Sequence, residues 1–178
     1  MGTIASSKNV KLIIGVISGF NKLFDNVEDD LISRFGSIDY ESGLIQFTFT
    51  DYYKYEMGSG LLRKFFSFER LIQPDDIADI KRTTNELEGG YSASNKFSVK
   101  RPINIDPGYL ELSKLVLAST KDFSHRIYLR NGIYAEVTLL YKKGDFCSLE
   151  WTYPDYKTKE YICFFQKVRA IYEQQLKK

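Results

Sequence analysis

The chain has 178 residues, a length that suits one domain with its own core and no need of disulfides or a metal. Its 25 Lys+Arg against 23 Asp+Glu leave a formal charge of +2, which argues against a nucleic-acid partner, and an apolar content of 43% excludes wholesale disorder. No run approaches the roughly 18 apolar residues of a membrane span and no signal-peptide pattern is present, so a cytoplasmic protein without a membrane partner is expected.

Residues 11–17 are dense in aliphatic side chains and predict a short buried strand, broken by Ser18-Gly19. Asn21 is expected to cap a helix to about residue 34, with Leu23, Phe24, Val27, Leu31 and Ile32 on its buried stripe. Residues 44–50 alternate as a strand with Phe47 and Phe49 on one face. A glycine-containing loop over 55–60 leads to a strand over 61–71. Pro74, Asp75 and Asp76 start a helix with Ile77, Ile80, Thr84 and Leu87 inward. Gly89-Gly90 is expected to stop it, leaving 91–97 as a loop.

Residues 101–106 read as extended, because each proline disfavours helix at the residue before it. Residues 114–151 predict a β-meander, with Asn131-Gly132 as a type I′ hairpin turn and Lys143-Gly144 as a second. Residues 158–176 form a C-terminal helix carrying Tyr161, Phe164, Phe165, Val168 and Tyr172 on one face. Cys147 and Cys163 fit no metal or redox spacing and read as reduced, partly buried thiols. The order predicts an α+β single domain: a mainly antiparallel sheet with a C-terminal β-meander and about three helices on one face.

A two-residue turn at Asn131-Gly132 makes paired residue numbers sum to 263, so Thr138 faces His125 and Glu136 faces Ile127. The second turn places Trp151 opposite Glu136. Alternation then puts His125, Glu136, Thr138 and Trp151 on one sheet face. Arg126, Tyr128, Ala135, Val137, Leu139, Tyr141 and Phe146 fall on the other face, which is expected to be the helix-covered core. On this register Glu136 orients His125, the one histidine of the chain, as an acid–base pair, or the two form a polar cross-strand contact.

Several motifs stand in order: Thr50-Asp51-Tyr52-Tyr53, Glu56-Met57-Gly58, the segment from Arg101 to Tyr109, the segment from Lys114 to Asp122, Ser124-His125-Arg126-Ile127-Tyr128, Tyr134-Ala135-Glu136-Val137-Thr138 and Trp151-Thr152-Tyr153-Pro154-Asp155-Tyr156. Together they resemble the prokaryotic family known as domain of unknown function 4416, over nearly the full chain. The resemblance implies no reaction. Some relatives carry a GTP-binding label, yet the GxxxxGK[ST] phosphate loop is missing and Thr120-Lys121-Asp122 lacks the spacing of the guanine-reading motif, so a P-loop GTPase is excluded.

The remaining chemistry is read residue by residue. A single His removes most zinc sites, and Asp51, Glu56, Asp106, Glu136 and Asp155 come from separate segments, so no metal is assigned. A serine nucleophile beside His125, from Ser119, Ser124 or Thr120, would lack the GxSxG elbow. Arg63, Lys64, Arg101, Lys114, Lys121 and Arg126 are candidates for anion recognition. Tyr52, Tyr53, Tyr109, Tyr153, Tyr156 and Trp151 would stack beside them or fill half-buried sheet positions.

The leading expectation is a pocket that binds a small anionic, phosphate-bearing ligand, a nucleotide included. Arg101, Asp106, Tyr109, Lys121, Arg126, Trp151, Tyr153 and Asp155 would bind it, with His125 and Glu136 at the centre. The alternatives are an enzyme that uses the His125–Glu136 pair for acid–base or hydrolytic chemistry, and a protein-interaction module. No motif implies a cofactor or an oligomeric state.

Overall fold

The computed structural model describes residues 2–49 and 54–177. Among them nine strands form one antiparallel sheet, accompanied by four helices. The strands are β1 (Val10–Ser18), β2 (Ile38–Glu41), β3 (Ile45–Gln46), β4 (Leu62–Ile72), β5 (Ile103–Leu110), β6 (Lys114–Ser119), β7 (Ile127–Arg130), β8 (Ile133–Lys142) and β9 (Asp145–Ser148). The helices are α1 (Asn21–Phe35), the one-turn α2 (Lys54–Met57), α3 (Ile77–Ala93) and α4 (Lys159–Gln175). The fold is α+β. No helix among the described residues is long and apolar enough to cross a membrane.

The sheet order is β2-β4-β1-β5-β6-β8-β7, with β3 on β4 and β9 on β8. All nine residues of β1 are buried, which requires cover on both sheet faces. Leu12, Ile14 and Val16 pack against α1 and α3, whereas Ile13 joins the cluster beneath α4. Helices on one face only, as the element order suggested, would have left half of β1 in water. Under α4 the core is aromatic: the Phe65 ring meets Tyr156, Tyr161, Phe164 and Phe165 at centroid distances of 4.6–6.0 Å.

Several local expectations are corrected by tertiary contacts. Phe20 rather than Asn21 holds the N-cap position of α1, and the Ser18 hydroxyl accepts from the Phe20 amide. Ile32 lies 39% exposed, off the buried stripe. The strand expected over 44–50 shrinks to the two residues of β3, and β2 is an element that residues 38–41 did not announce. The glycine loop at 55–60 begins inside α2 before Gly58 and Gly60 turn the chain at positive φ. Helix α3 runs through Gly89-Gly90 to Ala93, because Tyr91 packs on the core and its hydroxyl donates to Asp30 at 2.6 Å. That anchoring outweighs glycine's penalty of about 1 kcal/mol. Cys147 and Cys163 are both exposed, not partly buried.

Segment 114–151 is not a simple meander. β8 is its hub: β6 lies along one side, while β7 and β9 share the other. Both hairpin turns form with positive φ at Asn131, Gly132, Lys143 and Gly144, as type I′ geometry demands. Arg130 pairs with Ile133 as counted, but a bulge follows, so Tyr128 faces Tyr134 and Ile127 faces Ala135. A second bulge leaves Thr138 without a direct partner between the pairs Leu115–Leu139 and Val116–Val137. Glu136 and Leu139 therefore share the α4-side face, which counting by twos had divided.

The decisive feature is where β5 and β6 part. They pair only through Gly108–Leu117, Tyr109–Val116 and Leu110–Leu115. At Gly108 the strands approach so closely that a Cβ would lie 2.4 Å from the Val116 carbonyl oxygen. One residue earlier Pro107 offers no amide, and residues 103–107 diverge from β6. Gly108→Ala should therefore destabilise the protein by about 1–3 kcal/mol in urea unfolding. An unchanged midpoint would contradict the close approach.

Candidate functional site

The diverging strands open a cavity of about 820 Å³. A sheet that parts leaves an edge whose amides and carbonyls need partners. Here α3 supplies them: the Lys81 ammonium donates to the Ile105 carbonyl at 2.8 Å, and Glu88 accepts from the Ile105 amide at 2.8 Å. Two side chains thus stand in for a missing strand. Both line the cavity two turns apart on one face of α3, Lys81 buried and Glu88 half-buried beside Leu87.

At the floor, Arg63 of β4 is only 3% exposed. Its two terminal nitrogens each lie 3.4 Å from a carboxylate, Asp106 of β5 on one side and Asp155 on the other. The guanidinium rests against the rings of Phe47, Phe65 and Tyr156 at 5.3–5.8 Å. Among the described residues its Nε has no hydrogen-bond partner. Lys81 also reaches Asp106 at 3.5 Å, and Asn104 donates to the same carboxylate. Arg101 donates to Asn104 and, at 2.9 Å, to Glu88.

These neighbours push the acids in opposite directions. Burial works to raise Asp106, but Lys81, Arg63 and Arg101 together bring it below the usual carboxylate range. Burial outweighs Arg63 at Asp155 and outweighs Lys81 and Arg101 at Glu88, so both are raised. Tyr153 on the cavity wall is raised by burial and by Glu136.

The wall across the gap comes from β6, β8 and the turn before α4. It presents Ser119, Thr120 and Lys121, the Glu136 carboxylate, and the segment from Tyr153 to Tyr156. Glu136 is held on three sides: Arg126 Nε donates to Oε2 at 2.8 Å, His125 Nε2 lies 3.2 Å from the same oxygen, and Thr138 donates to Oε1 at 3.1 Å. His125 and Arg126 lie in the turn before β7 and reach the same oxygen, so Arg126 is not on the opposite face. Arg126 also donates to the Lys121 carbonyl at 2.9 Å and the Tyr153 hydroxyl at 2.5 Å, which stitches the rim together.

Of the ten residues placed at the ligand site from sequence, Arg101, Asp106, Lys121, Glu136, Tyr153 and Asp155 line the cavity, and so do Arg63, Glu56, Ser119, Thr120 and Tyr156 from the wider set of candidates. His125 and Arg126 stand behind Glu136 and hold it. Trp151 does not pair with Glu136, because β9 ends at Ser148 and the chain turns with Thr152 bonded to Leu149 and Thr138. Its indole donates to the Val137 carbonyl and stacks on His125 at 5.1 Å with rings 8° apart, so it braces the histidine outside the cavity. Tyr109 is not at the site: alternation along β5 turns it to the core face covered by α1 and α3.

Tyr156 is buried beneath Arg63 and offers no open stacking surface. Lys64 pairs with Glu28 and Glu41, and Lys114 with Glu111, away from the cavity. Asp51, Tyr52 and Tyr53 lie outside the described residues. Glu56, Asp106, Glu136 and Asp155 do line one cavity, but Arg63 is interposed between Asp106 and Asp155. Sequence reasoning missed Lys81, Asn85, Glu88 and Asn104. The signal for two of them was a Lys and a Glu on an otherwise apolar helical stripe.

The class so defined is a single-sheet α+β protein with a charged cavity opened by strand divergence. The chain belongs to the family described as Domain of unknown function (DUF4416), whose model matches residues 8–172. No curated protein and no solved structure matches it.

The raised acids set a sign for pH dependence. A carboxyl held above its ordinary value gives stability that is full below that value and lost as pH rises through the raised one. Glu88→Gln removes one such group while keeping an acceptor for Ile105. The stability of the parent protein relative to Glu88→Gln should therefore fall as pH rises above the ordinary carboxylate range in urea titrations. A rise there would overturn the assignment.

Proposed function

We propose that this protein binds a small phosphorylated, hydroxyl-rich metabolite, a sugar phosphate or a nucleotide, in the cavity between β5 and β6. The observation that carries this reading is the buried Arg63 at the cavity floor. A guanidinium taken out of water is costly, and the surrounding core would pack as well around an apolar side chain. Perturbed charges gathered in a cleft make it a candidate functional site.

The balance of charge narrows the ligand. Arg63, Lys81, Arg101 and Lys121 are matched by Glu56, Glu88, Asp106, Glu136 and Asp155 on the same lining. A bare anion meets five acidic side chains against four basic ones there. A sugar phosphate satisfies both: its phosphate takes the cations, and its hydroxyls donate to the carboxylates. Phe47 and Phe49 add an apolar wall against which a ring can lie. The volume falls within the roughly 300–1,000 Å³ of small-molecule sites. The two cysteines, exposed and unbridged, suit the reducing cytoplasm, where we place the protein.

The test is titration calorimetry and thermal shift with ribose 5-phosphate and nucleoside 5′-monophosphates, with ribose and nucleosides as controls. The phosphorylated compounds should bind and raise the melting temperature, and the controls should do so far less. Arg101→Ala combined with Lys121→Ala should weaken binding by about tenfold or more, since charge-assisted hydrogen bonds are lost. Equal binding of phosphorylated and unphosphorylated compounds, or no binding at all, would overturn the reading.

A further inference from the structure

The cavity floor holds more than a binding site needs. Arg63, Lys81 and Arg101 converge on the single carboxylate of Asp106, directly or through Asn104. Beside them stands a second carboxyl, Asp155, whose side chain is 7% exposed, whose Oδ2 lies 3.4 Å from the far nitrogen of Arg63, and which accepts from the amides of its own turn. It is fixed at the start of a 3-10 turn (Asp155–Lys157) that begins just after Pro154 and runs into the Thr158 cap of α4. Its carbonyl accepts from the Thr158 hydroxyl at 2.8 Å. A rigid turn, a proline and a helix cap therefore hold one carboxyl against the Arg63 guanidinium on the cavity lining. Cations that clamp phosphoryl oxygens, next to one positioned acid, are the parts that phosphate-ester cleavage requires.

We propose that this cavity cleaves phosphomonoesters, with Asp155 as the general acid that protonates the departing oxygen. The proposal rests on the binding reading above and names the chemistry of the same site. Water is the second reactant. The bond from phosphorus to the ester oxygen breaks as a bond from phosphorus to the water oxygen forms. The Asp155 proton passes to the leaving alkoxide, and Asp106 takes the proton that water sheds. The products are inorganic phosphate and the free alcohol, and exchange with solvent returns both carboxyls to their starting states. Arg63, Lys81 and Arg101 stabilise the negative charge spread over the phosphoryl oxygens, which is where most of the catalysis of such a transfer resides.

The burial that raises Asp155 moves it toward the protonated form that a general acid needs. Asp106, held down by its cations, remains charged beside it. His125 takes no part in the proton transfers: its Nε2 is directed at Glu136, and Trp151 covers one ring face. It is a positioning residue for Glu136 on the opposite wall.

The experiment compares leaving groups. Inorganic phosphate release is measured from ribose 5-phosphate, nucleoside 5′-monophosphates and p-nitrophenyl phosphate, in the parent protein and in Asp155→Asn. An alkoxide needs a proton to leave, whereas p-nitrophenolate does not. Asp155→Asn should therefore slow the alkyl esters by about 10²–10⁴-fold and spare p-nitrophenyl phosphate. The parent rate on alkyl esters should also fall as pH rises through the raised value of Asp155, and that limb should vanish in the variant. Equal slowing of both substrate types would mean that Asp155 is structural and would overturn the proposal. Binding by calorimetry without phosphate release would overturn it and leave the cavity reading standing, while absence of both would sink the two together. Should Asp155→Asn not fold, substituted phenyl phosphates decide with the parent protein alone: rates nearly independent of leaving-group acidity support an internal acid, and a steep dependence refutes one.

Discussion

The structure turns on one constraint: β5 and β6 pair for three residues and then separate. Gly108 permits a backbone approach that no side chain would allow, and Pro107, the next residue back, has no amide to offer a partner strand. A sheet cannot part in its middle without stranding polar groups. Ile105 is the residue left with both an amide and a carbonyl to satisfy, and Lys81 and Glu88 reach across from α3 to do so. The cavity is thus a consequence of how the edge is capped.

Once two charged side chains are drawn to the gap, the others follow from electrostatics. Lys81 and Arg101 require counter-charges, and Asp106 and Glu88 provide them. Arg63 reaches Asp106 and Asp155 from beneath, its flat guanidinium seated among three aromatic rings. The sequence is rich in rings, with 13 Phe and 13 Tyr, and this is where they enter the site. Many of them build the two cores on either side of the sheet, and three carry the cation at the cavity floor. The far wall is organised around a different carboxylate, Glu136, which Arg126, His125 and Thr138 hold in one orientation.

The hairpin shows how far local reasoning reaches. Asn131-Gly132 specifies its turn, because only residues tolerant of positive φ can make it, and the first pair forms as counted. Two bulges then change which side chains share a face. His125 and Glu136 still meet, but through a turn that precedes β7 and not across a continuous ladder. Arg126 meets the same oxygen for that reason, although alternation had sent it to the core. Trp151 reaches His125 by leaving the strand altogether. A bulge depends on the packing of both partner strands, so neither strand's sequence announces it.

The sequence by itself determined the local grammar of the longer elements: the strands β1, β4 and β8, the three long helices with most of their buried stripes, and the two hairpin turns. The five inward residues of α4 are legible because helical period is a property of neighbouring residues. It also marked Arg63 and six of the ten residues placed at the ligand site, since charged and aromatic residues in polar motifs stand out from a core pattern. Only the tertiary structure decided that helices cover both faces, that Tyr109 points away, and that Lys81 and Glu88 complete the site. Those outcomes depend on where β5 loses its partner, and hydrogen-bond vacancies of that kind arise between segments far apart in the chain.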